Sequence, residues 1–142
     1  MKNDPRRREL ANYHWSAAME TRFADMDVNG HLNNVAIARF FEETRIRFNW
    51  ALFAGALEGR PRFLVGHVAV DYLAEGRYPA PVTMAYALAE IGRSSFRSAK
   101  AMFQDGRCIA LCDTVLVHRG ESGAAPLPEA LRERLEPLLL KG

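Results

Sequence analysis

Long apolar runs are missing from this sequence. No segment approaches the roughly 20 consecutive apolar residues that a membrane-spanning helix needs, and no apolar stretch follows the arginines near the N-terminus. The sequence therefore predicts neither a membrane segment nor a secretory signal.

Cysteines are scarce as well. Only Cys108 and Cys112 occur in the 142 residues, four positions apart. On one strand their side chains would lie on the same face, too far apart for a relaxed disulfide bond. They have no His or Cys partner at metal-ligand spacing. We therefore expect two small core residues in a reducing cytoplasm, and no metal site.

An excess of charge of one sign is also lacking. The 19 Lys and Arg residues nearly balance the 17 Asp and Glu residues, which leaves a net charge of +2 and no reason to expect a nucleic-acid partner. The basic run Arg6, Arg7 and Arg8 is expected within a mobile, solvated N-terminus over residues 1–11. Without a linker rich in Gly, Pro or Ser, residues 1–142 should form a single domain.

The hydrophobic pattern predicts a strand, then a long helix. The strand is predicted over residues 13–24. In the helix, apolar or small residues recur at three- and four-residue spacing on one face. They are Ile37, Phe40, Phe41, Thr44, Phe48, Ala51 and Leu52. Gly55, Gly59 and Pro61 are predicted to end this helix.

Four strands and a C-terminal helix are predicted after Pro61. The second of these four strands alternates large residues with small ones. The large residues are Val82, Met84, Tyr86 and Leu88. The pair Asp105–Gly106 predicts a hairpin between the last two strands. Residues 126–142 are predicted as an amphipathic helix. One long helix against an antiparallel sheet is an α+β arrangement, that of the hotdog fold.

The polar stretch DMDVNGHLNN, residues 25–34, precedes the long helix and has three interpretations. It could form a turn followed by a helix cap at Asn33 or Asn34, because these side chains accept free backbone N–H groups. It also resembles the start of a calcium-binding EF-hand loop. Counted from Asp25, however, the twelfth position, where a bidentate Glu is required, is Ala36. Calcium binding is therefore rejected.

The third interpretation is an acyl-transfer site. A helix N-terminus offers unpaired N–H groups and the positive end of the helix dipole, which can stabilise an oxyanion forming on an acyl carbonyl. A carboxylate just upstream could act as nucleophile or base, and Asn29 and His31 could orient it. The residues themselves leave the cap and the functional site open as alternatives.

The segment TRFADMDVNGHLNNVAIARFFEETR, with VDYLAEGRYPAPV and EIGRSSF, resembles hotdog-fold thioesterases of the 4-hydroxybenzoyl-CoA thioesterase-like superfamily. The resemblance spans about residues 13–119 and is carried by the D-x-D-x-x-G-H-x-N-N core. It implies an antiparallel sheet of five or six strands wrapped around one long central helix. It also implies a homodimer or a dimer of dimers, with acyl-CoA bound at the subunit interface.

The resemblance assigns roles by position in the motif. In the bacterial enzymes the second acid of the D-x-D pair is catalytic, and it matches Asp27. The backbone N–H that polarises the thioester carbonyl would be that of Asn34. Plant acyl-ACP thioesterases carry a similar D-x-N-x-H-x-N-N stretch with an active-site Asp, Asn and His, which match Asp27, Asn29 and His31.

Further site residues follow from the rest of the resemblance. The additional catalytic glutamate of the plant enzymes falls on Glu75, although the neighbouring Cys of that family is Gly76 here. Independently of the resemblance, Arg93, Arg97 and Lys100 could bind the CoA phosphates, because basic side chains pair with phosphate groups, or they could be ordinary charges of an exposed strand. Ser94 and Ser95 could bond the pantetheine arm of CoA or serve in a turn. Asp25 is expected to accept N–H groups of the turn.

We therefore expect a cytoplasmic acyl-CoA thioesterase that needs no cofactor, since CoA is part of the substrate. Asp27 would attack the thioester carbonyl or activate a water, and we expect its carboxylate to be buried if it acts as a base. The alternatives are an acyl-ACP thioesterase and a hotdog module that binds acyl-CoA without turnover.

Overall fold

One long helix and six strands form most of the structure, a computed structural model that describes residues 1–53 and 62–142. In chain order the elements are β1 (Trp15–Met19), α1 (Asn34–Phe53), β2 (Phe63–Tyr72), β3 (Val82–Ile91), β4 (Ser95–Gln104), β5 (Arg107–Gly120), β6 (Gly123–Ala124) and α2 (Glu129–Leu135). The predicted end of α1 at Gly55, Gly59 and Pro61 lies outside the described residues. Within those residues, no helix is long and apolar enough to cross a membrane.

The strands form one antiparallel sheet in the order β1-β3-β4-β5-β2, and β6 pairs with β5. Helix α1 packs against one face of this sheet, and β2 forms one of its edges. This is the predicted α+β class, with the five- or six-stranded sheet and single long helix of the hotdog fold.

The predicted apolar faces of α1 and β3 meet in the core. Six of the seven predicted helix residues are buried, and only Ala51 is exposed. Opposite them lie the large residues predicted on one face of β3: Val82, Met84, Tyr86 and Leu88. Burial of each such side chain contributes about 1.5–3 kcal/mol. This layer therefore fixes α1, and with it the start of the helix, on the sheet.

The first strand is shorter than the predicted span of residues 13–24. It ends at Met19, and a 3-10 helix (Phe23–Asp25) follows. The backbone N–H of Arg22 donates to the Asp25 carboxylate at 2.9 Å instead of to a neighbouring strand. A side chain that bonds its own backbone competes with the sheet in this way, and it turns the chain toward α1.

A β-bulge places the two cysteines on opposite faces of the sheet. Met102 pairs with Ala110, but the next residue, Phe103, pairs with Cys108, so Ile109 is an extra residue in β5. Cys108 packs on the face away from α1, whereas Cys112 packs in the cluster under the helix. Both thiols are buried and free, as predicted. The prediction that they share a face is wrong because the bulge shifts the alternation.

The N-terminal residues form two 3-10 helices, Pro5–Arg8 and Leu10–Asn12, against the sheet. Arg6 and Arg8 are exposed, but Arg7 is only 3% exposed. Its guanidinium lies 2.7 Å from the carboxylate of Asp113 on the sheet face away from α1. The prediction of a solvated segment is therefore wrong at Arg7, because the sheet offers a buried carboxylate as its partner.

The C-terminal helix is shorter than the predicted residues 126–142. Helix α2 begins after Pro128, and a 3-10 helix (Glu136–Leu138) contains Pro137, which has no N–H to continue the α-helix. Leu131 and Leu135 are fully buried against the sheet, as the amphipathic pattern predicts.

Candidate active site

The start of helix α1 combines a cap with free backbone amides. The side-chain oxygen of Asn33 accepts the N–H of Ala36 at 2.7 Å, so Asn33 is the cap and Asn34 is the first helical residue. Among the described residues, the N–H groups of Asn34 and Val35 have no hydrogen-bond partner. They point from the positive end of a 20-residue helix, where an anion is stabilised.

Asp27 lies in a tight turn just before this helix start. Its backbone N–H donates to the His31 carbonyl at 2.7 Å, and the N–H of Gly30 donates back to the Asp27 carbonyl at 3.1 Å. Gly30 adopts φ = 80°, a left-handed conformation that favours glycine. The turn directs two backbone N–H groups, those of Asn29 and His31, onto Oδ1 of Asp27 at 2.8 and 3.1 Å.

The second oxygen of Asp27 is available for chemistry. Within the described part of the chain, Oδ2 accepts no hydrogen bond, while Oδ1 is held by the two amides. The side chain is exposed in the single chain, which differs from the burial that we expected for a general base. The turn therefore orients this carboxylate but does not enclose it.

His31 and Glu75 join this turn to the connection between β2 and β3. The Leu32 N–H donates to the Gly76 carbonyl at 2.8 Å, which holds the two segments side by side. Nε2 of His31 then lies 3.1 Å from Oε2 of Glu75. At Gly76, where the plant enzymes have Cys, an added Cβ would come within 2.8 Å of Leu32. Packing therefore disfavours a side chain at this position.

All five predicted catalytic residues line one surface depression of about 370 Å³: Asp27, Asn29, His31, Asn34 and Glu75. Its apolar wall includes Leu32, Ile37 and Tyr72. A second depression of about 490 Å³ on the other side of the helix start shares Asp27 and Asn34. A reacting group near Asp27 can therefore contact the carboxylate and the free amides together.

The comparisons with known proteins identify the family. The family model described as the thioesterase-like superfamily matches residues 21–135. The chain belongs to this superfamily. The comparison with curated proteins gave no match.

Solved structures agree with this family. A thioesterase from Thermus thermophilus, complexed with coenzyme A and Zn, is 30% identical with a TM-score of 0.78, and the match covers 89% of this chain and 95% of that one. The PA5185 protein from Pseudomonas aeruginosa PAO1 is 28% identical with a TM-score of 0.77, covering 94% and 97%. A thioesterase superfamily structure from Jannaschia sp. CCS1 is 25% identical with a TM-score of 0.79, covering 93% and 88%. The family and these structures support a thioester hydrolase, the predicted enzyme class.

Within one chain of this thioesterase-like protein, the residues predicted to bind CoA lie far from Asp27. Ser94 and Arg93 lie in the turn between β3 and β4, and Ser95 and Arg97 lie at the start of β4. Ser95 pairs with Val117 of β5. The depression lies near the other end of β5, where Ala110 pairs with Tyr72. Seven residues of strand span roughly 24 Å. The structure therefore does not bring these four residues to the predicted catalytic residues within one chain, and Lys100, also predicted to bind phosphate, is fully buried.

Asp25, the first acid of the motif, is buried behind the site. It is 1% exposed, and Oδ1 accepts from the guanidinium groups of Arg39 at 2.7 Å and Arg22 at 3.2 Å. Burial alone would raise the pKa of Asp25, but the hydrogen bonds from Arg39 and Arg22 outweigh it and hold the pKa below its ordinary value. The sequence predicted a structural role for Asp25 but did not identify Arg39 as its partner, because Arg39 and Arg47 each lie four residues from Glu43, a spacing that allows either arginine to pair with it. In the structure, Glu43 pairs with Arg47.

No metal site is evident around these groups. Among residues 1–53 and 62–142, no cluster of three or more His, Cys, Asp or Glu side chains is arranged to hold a metal ion. The groups that the site presents are a carboxylate, an imidazole–carboxylate pair and backbone amides.

Proposed function

We propose that this chain hydrolyses acyl-CoA thioesters to a free carboxylic acid and CoA. The observation that carries the proposal is the convergence of the Asp27 carboxylate, the His31–Glu75 pair and Asn34 on one depression. Val35 lines the adjoining depression, which shares Asp27 and Asn34. The similar thioesterase from Thermus thermophilus, solved with coenzyme A, supports CoA as the thiol part of the substrate.

Asp27 would supply the attacking or the proton-accepting oxygen. If Oδ2 attacks the thioester carbon, a mixed anhydride forms, the C–S bond breaks and CoA leaves as a thiolate; water then hydrolyses the anhydride. If Oδ2 instead takes a proton from water, the hydroxide attacks the same carbon, the C–S bond breaks, CoA leaves as a thiolate and the acid forms directly. Both routes leave the hydrogen bonds of Asn29 and His31 to Oδ1 intact.

The helix start would stabilise the oxyanion of either route. An oxygen placed near the N–H groups of Asn34 and Val35 accepts hydrogen bonds that need no reorganisation during the reaction. Loss of one such donor in an enzyme typically lowers kcat by about 10²–10³-fold. His31 and Glu75 would orient Asp27 and a water from the opposite wall.

A second copy of the chain would complete the site. Strand β2 is an edge strand with four exposed apolar side chains: Leu64, Val65, Val68 and Tyr72. An edge of this kind favours pairing with another strand, and Tyr72 also lines the depression. In a two-fold dimer built on this edge, the β2 strands of the two copies run antiparallel, so the strands of the second sheet run opposite to those of the first. The start of β4 in the second copy, with Ser95 and Arg97, would therefore lie toward the site end of the first.

The oligomer has its own test. Val68→Lys places a charge in the middle of the β2 edge and should convert the dimer to monomers in sedimentation velocity. Leu10→Lys, at an exposed apolar residue outside β2, is the matched control and should remain dimeric. A wild-type monomer would contradict the proposed pairing.

The activity is tested by thiol release from a panel of acyl-CoA and acyl-carrier-protein thioesters. Asp27→Asn keeps an oxygen for the two backbone amides but removes the charge, and it should lower kcat by about 10³-fold or more. Asp4→Asn, remote from the site, is the control. Turnover of carrier-protein thioesters alone would support the acyl-ACP alternative. Binding of acyl-CoA without turnover of any thioester would contradict hydrolysis.

A further inference from the structure

The loop that carries Asp27 is closed at its base by Asp25. The backbone N–H of Asn33 donates to the Asp25 carbonyl at 2.8 Å, so residues 25 and 33 meet and the turn around Asp27 projects from them. Asn33 is also the cap of α1. The position of Asp25 therefore affects both the carboxylate of Asp27 and the first free amides of the helix.

Arg39 fixes this base to the helix. It lies on α1 beyond the first turn, and helical side chains lean toward the N-terminus, so its guanidinium reaches back to Oδ1 of Asp25 at 2.7 Å. The Arg39 side chain is 45% exposed, so Arg39 is not one of the buried core residues. Together with Asp25, Asp27 and Asn34 it lines the depression of about 490 Å³.

We propose that Arg39 is a positioning residue, which acts through Asp25 to set the distance between the Asp27 carboxylate and the amides of Asn34 and Val35. This inference rests on the proposed function, since it concerns the same reacting groups. Without Arg39, Asp25 keeps its hydrogen bonds to Arg22, so the fold should persist while the loop shifts. A misplacement of about 1 Å can lower a rate about 10²-fold.

The test compares Arg39→Met and Arg39→Lys with Arg47→Met on the best acyl-CoA substrate. Arg47 is a matched control, because it forms an exposed ion pair with Glu43 on the same helix, away from the site. Arg39→Met should lower kcat by about 10–100-fold with KM changed less than about twofold. Arg39→Lys should recover part of kcat, because its ammonium can still donate to Asp25. Arg47→Met should match the wild type.

A double-variant cycle with Asp25→Asn separates positioning from a loss of folding. If Arg39 acts through Asp25, the variant that combines Asp25→Asn with Arg39→Met should lose no more kcat than the worse single variant. All rates are measured well below each variant's melting temperature. Multiplicative losses, an unchanged kcat, or a rise in KM alone, which would indicate direct substrate binding, would each overturn the inference. A wild type that hydrolyses no thioester would instead reject the proposed function, and this inference with it.

Discussion

The imidazole of His31 and the carboxylate of Glu75 lie 3.1 Å apart, although all of α1 and β2 separate them in the sequence. Neither residue is buried: the two side chains are 38% and 74% exposed. An exposed contact between polar side chains adds little to the stability of a fold. Its position beside Asp27 therefore points to a role in orienting the imidazole.

Replacement of Glu75 should reduce activity more than stability. In Glu75→Ala, His31 loses its partner and becomes free to rotate, so kcat should fall by about 10–100-fold, because misplacing a group by about 1 Å can lower a rate about 10²-fold. Glu75→Gln keeps a hydrogen-bond acceptor and should lose less. Thiol-release kinetics and thermal unfolding check both variants. Glu121→Gln, exposed in the turn after β5, is the control. A kcat unchanged in Glu75→Ala would show that His31 needs no orienting partner.

The two adjacent asparagines at the helix start should behave differently. Asn33→Ala removes the oxygen that caps the Ala36 N–H, and this should lower the free energy of unfolding by about 1 kcal/mol. Asn34→Ala keeps its backbone N–H and loses a side chain that forms no hydrogen bond within the described residues. It should change stability by less than about 0.5 kcal/mol. Urea unfolding curves of the two variants measure the difference, and equal losses would reject Asn33 as the cap.

Local patterns predicted the fold and much of the site. Spacing of apolar residues is set by the geometry of a single helix or strand, so the buried faces of α1 and β3 were predictable. The Asp27 turn was predictable for the same reason, because Gly30 and the asparagines act within a few residues. Only the resemblance, carried by a short alignment, placed Glu75 at this site, since no local rule connects it to His31.

Long-range features were not predictable in this way. Arg39 could pair with Glu43 by helical spacing, and only the three-dimensional structure shows that the buried Asp25 takes it instead. The bulge at Ile109 has no local signal such as a glycine at that position. It nevertheless places Cys108 and Cys112 on opposite faces of the sheet. Likewise, the separation of Arg97 from Asp27 depends on how strands pair, which a single sequence leaves open.

Lys100 should destabilise the protein at neutral pH. It is fully buried under α1, and its ammonium donates to the Thr114 hydroxyl at 2.6 Å. Burial lowers the pKa of Lys100 below 10.5, although nearby Cys112 and Glu42 oppose the shift. The unfolded chain therefore binds more protons between the lowered pKa and 10.5. As a result, stability should rise with pH across that window.

Lys100→Met tests this expectation. The variant should be more stable than the wild type at neutral pH by about 1–4 kcal/mol, the range for replacing buried charged groups by apolar ones of similar volume. Its stability should also rise less steeply with pH below 10.5. Denaturant unfolding at several alkaline pH values measures both effects, and Lys141→Met, at an exposed lysine, is the control. A less stable variant would mean that Lys100 contributes favourable interactions that exceed its desolvation.

Arg7 and Arg8 are neighbours in sequence but should differ greatly in their effect on stability. Arg7 lies 2.7 Å from Oδ1 of Asp113, and both side chains are largely buried. Within the described residues that oxygen has no aligned hydrogen bond, so the positive charge of Arg7 is what compensates the negative charge of the buried Asp113 carboxylate. Arg7→Met should therefore lower the free energy of unfolding by about 3–5 kcal/mol, because it leaves a buried carboxylate without its counter-charge.

Arg8 is exposed, and Arg8→Met should change the free energy of unfolding by less than about 0.5 kcal/mol. Combining Arg7→Met with Asp113→Asn removes the uncompensated charge and should recover part of the loss, so the two changes should not add. Guanidinium unfolding of the wild type, the three single variants (Arg7→Met, Arg8→Met and Asp113→Asn) and the double variant measures these terms. If Arg7→Met were as stable as Arg8→Met, the Arg7–Asp113 pair would contribute nothing to the free energy of unfolding. Arg7 would then behave as part of the solvated N-terminus that the sequence predicts.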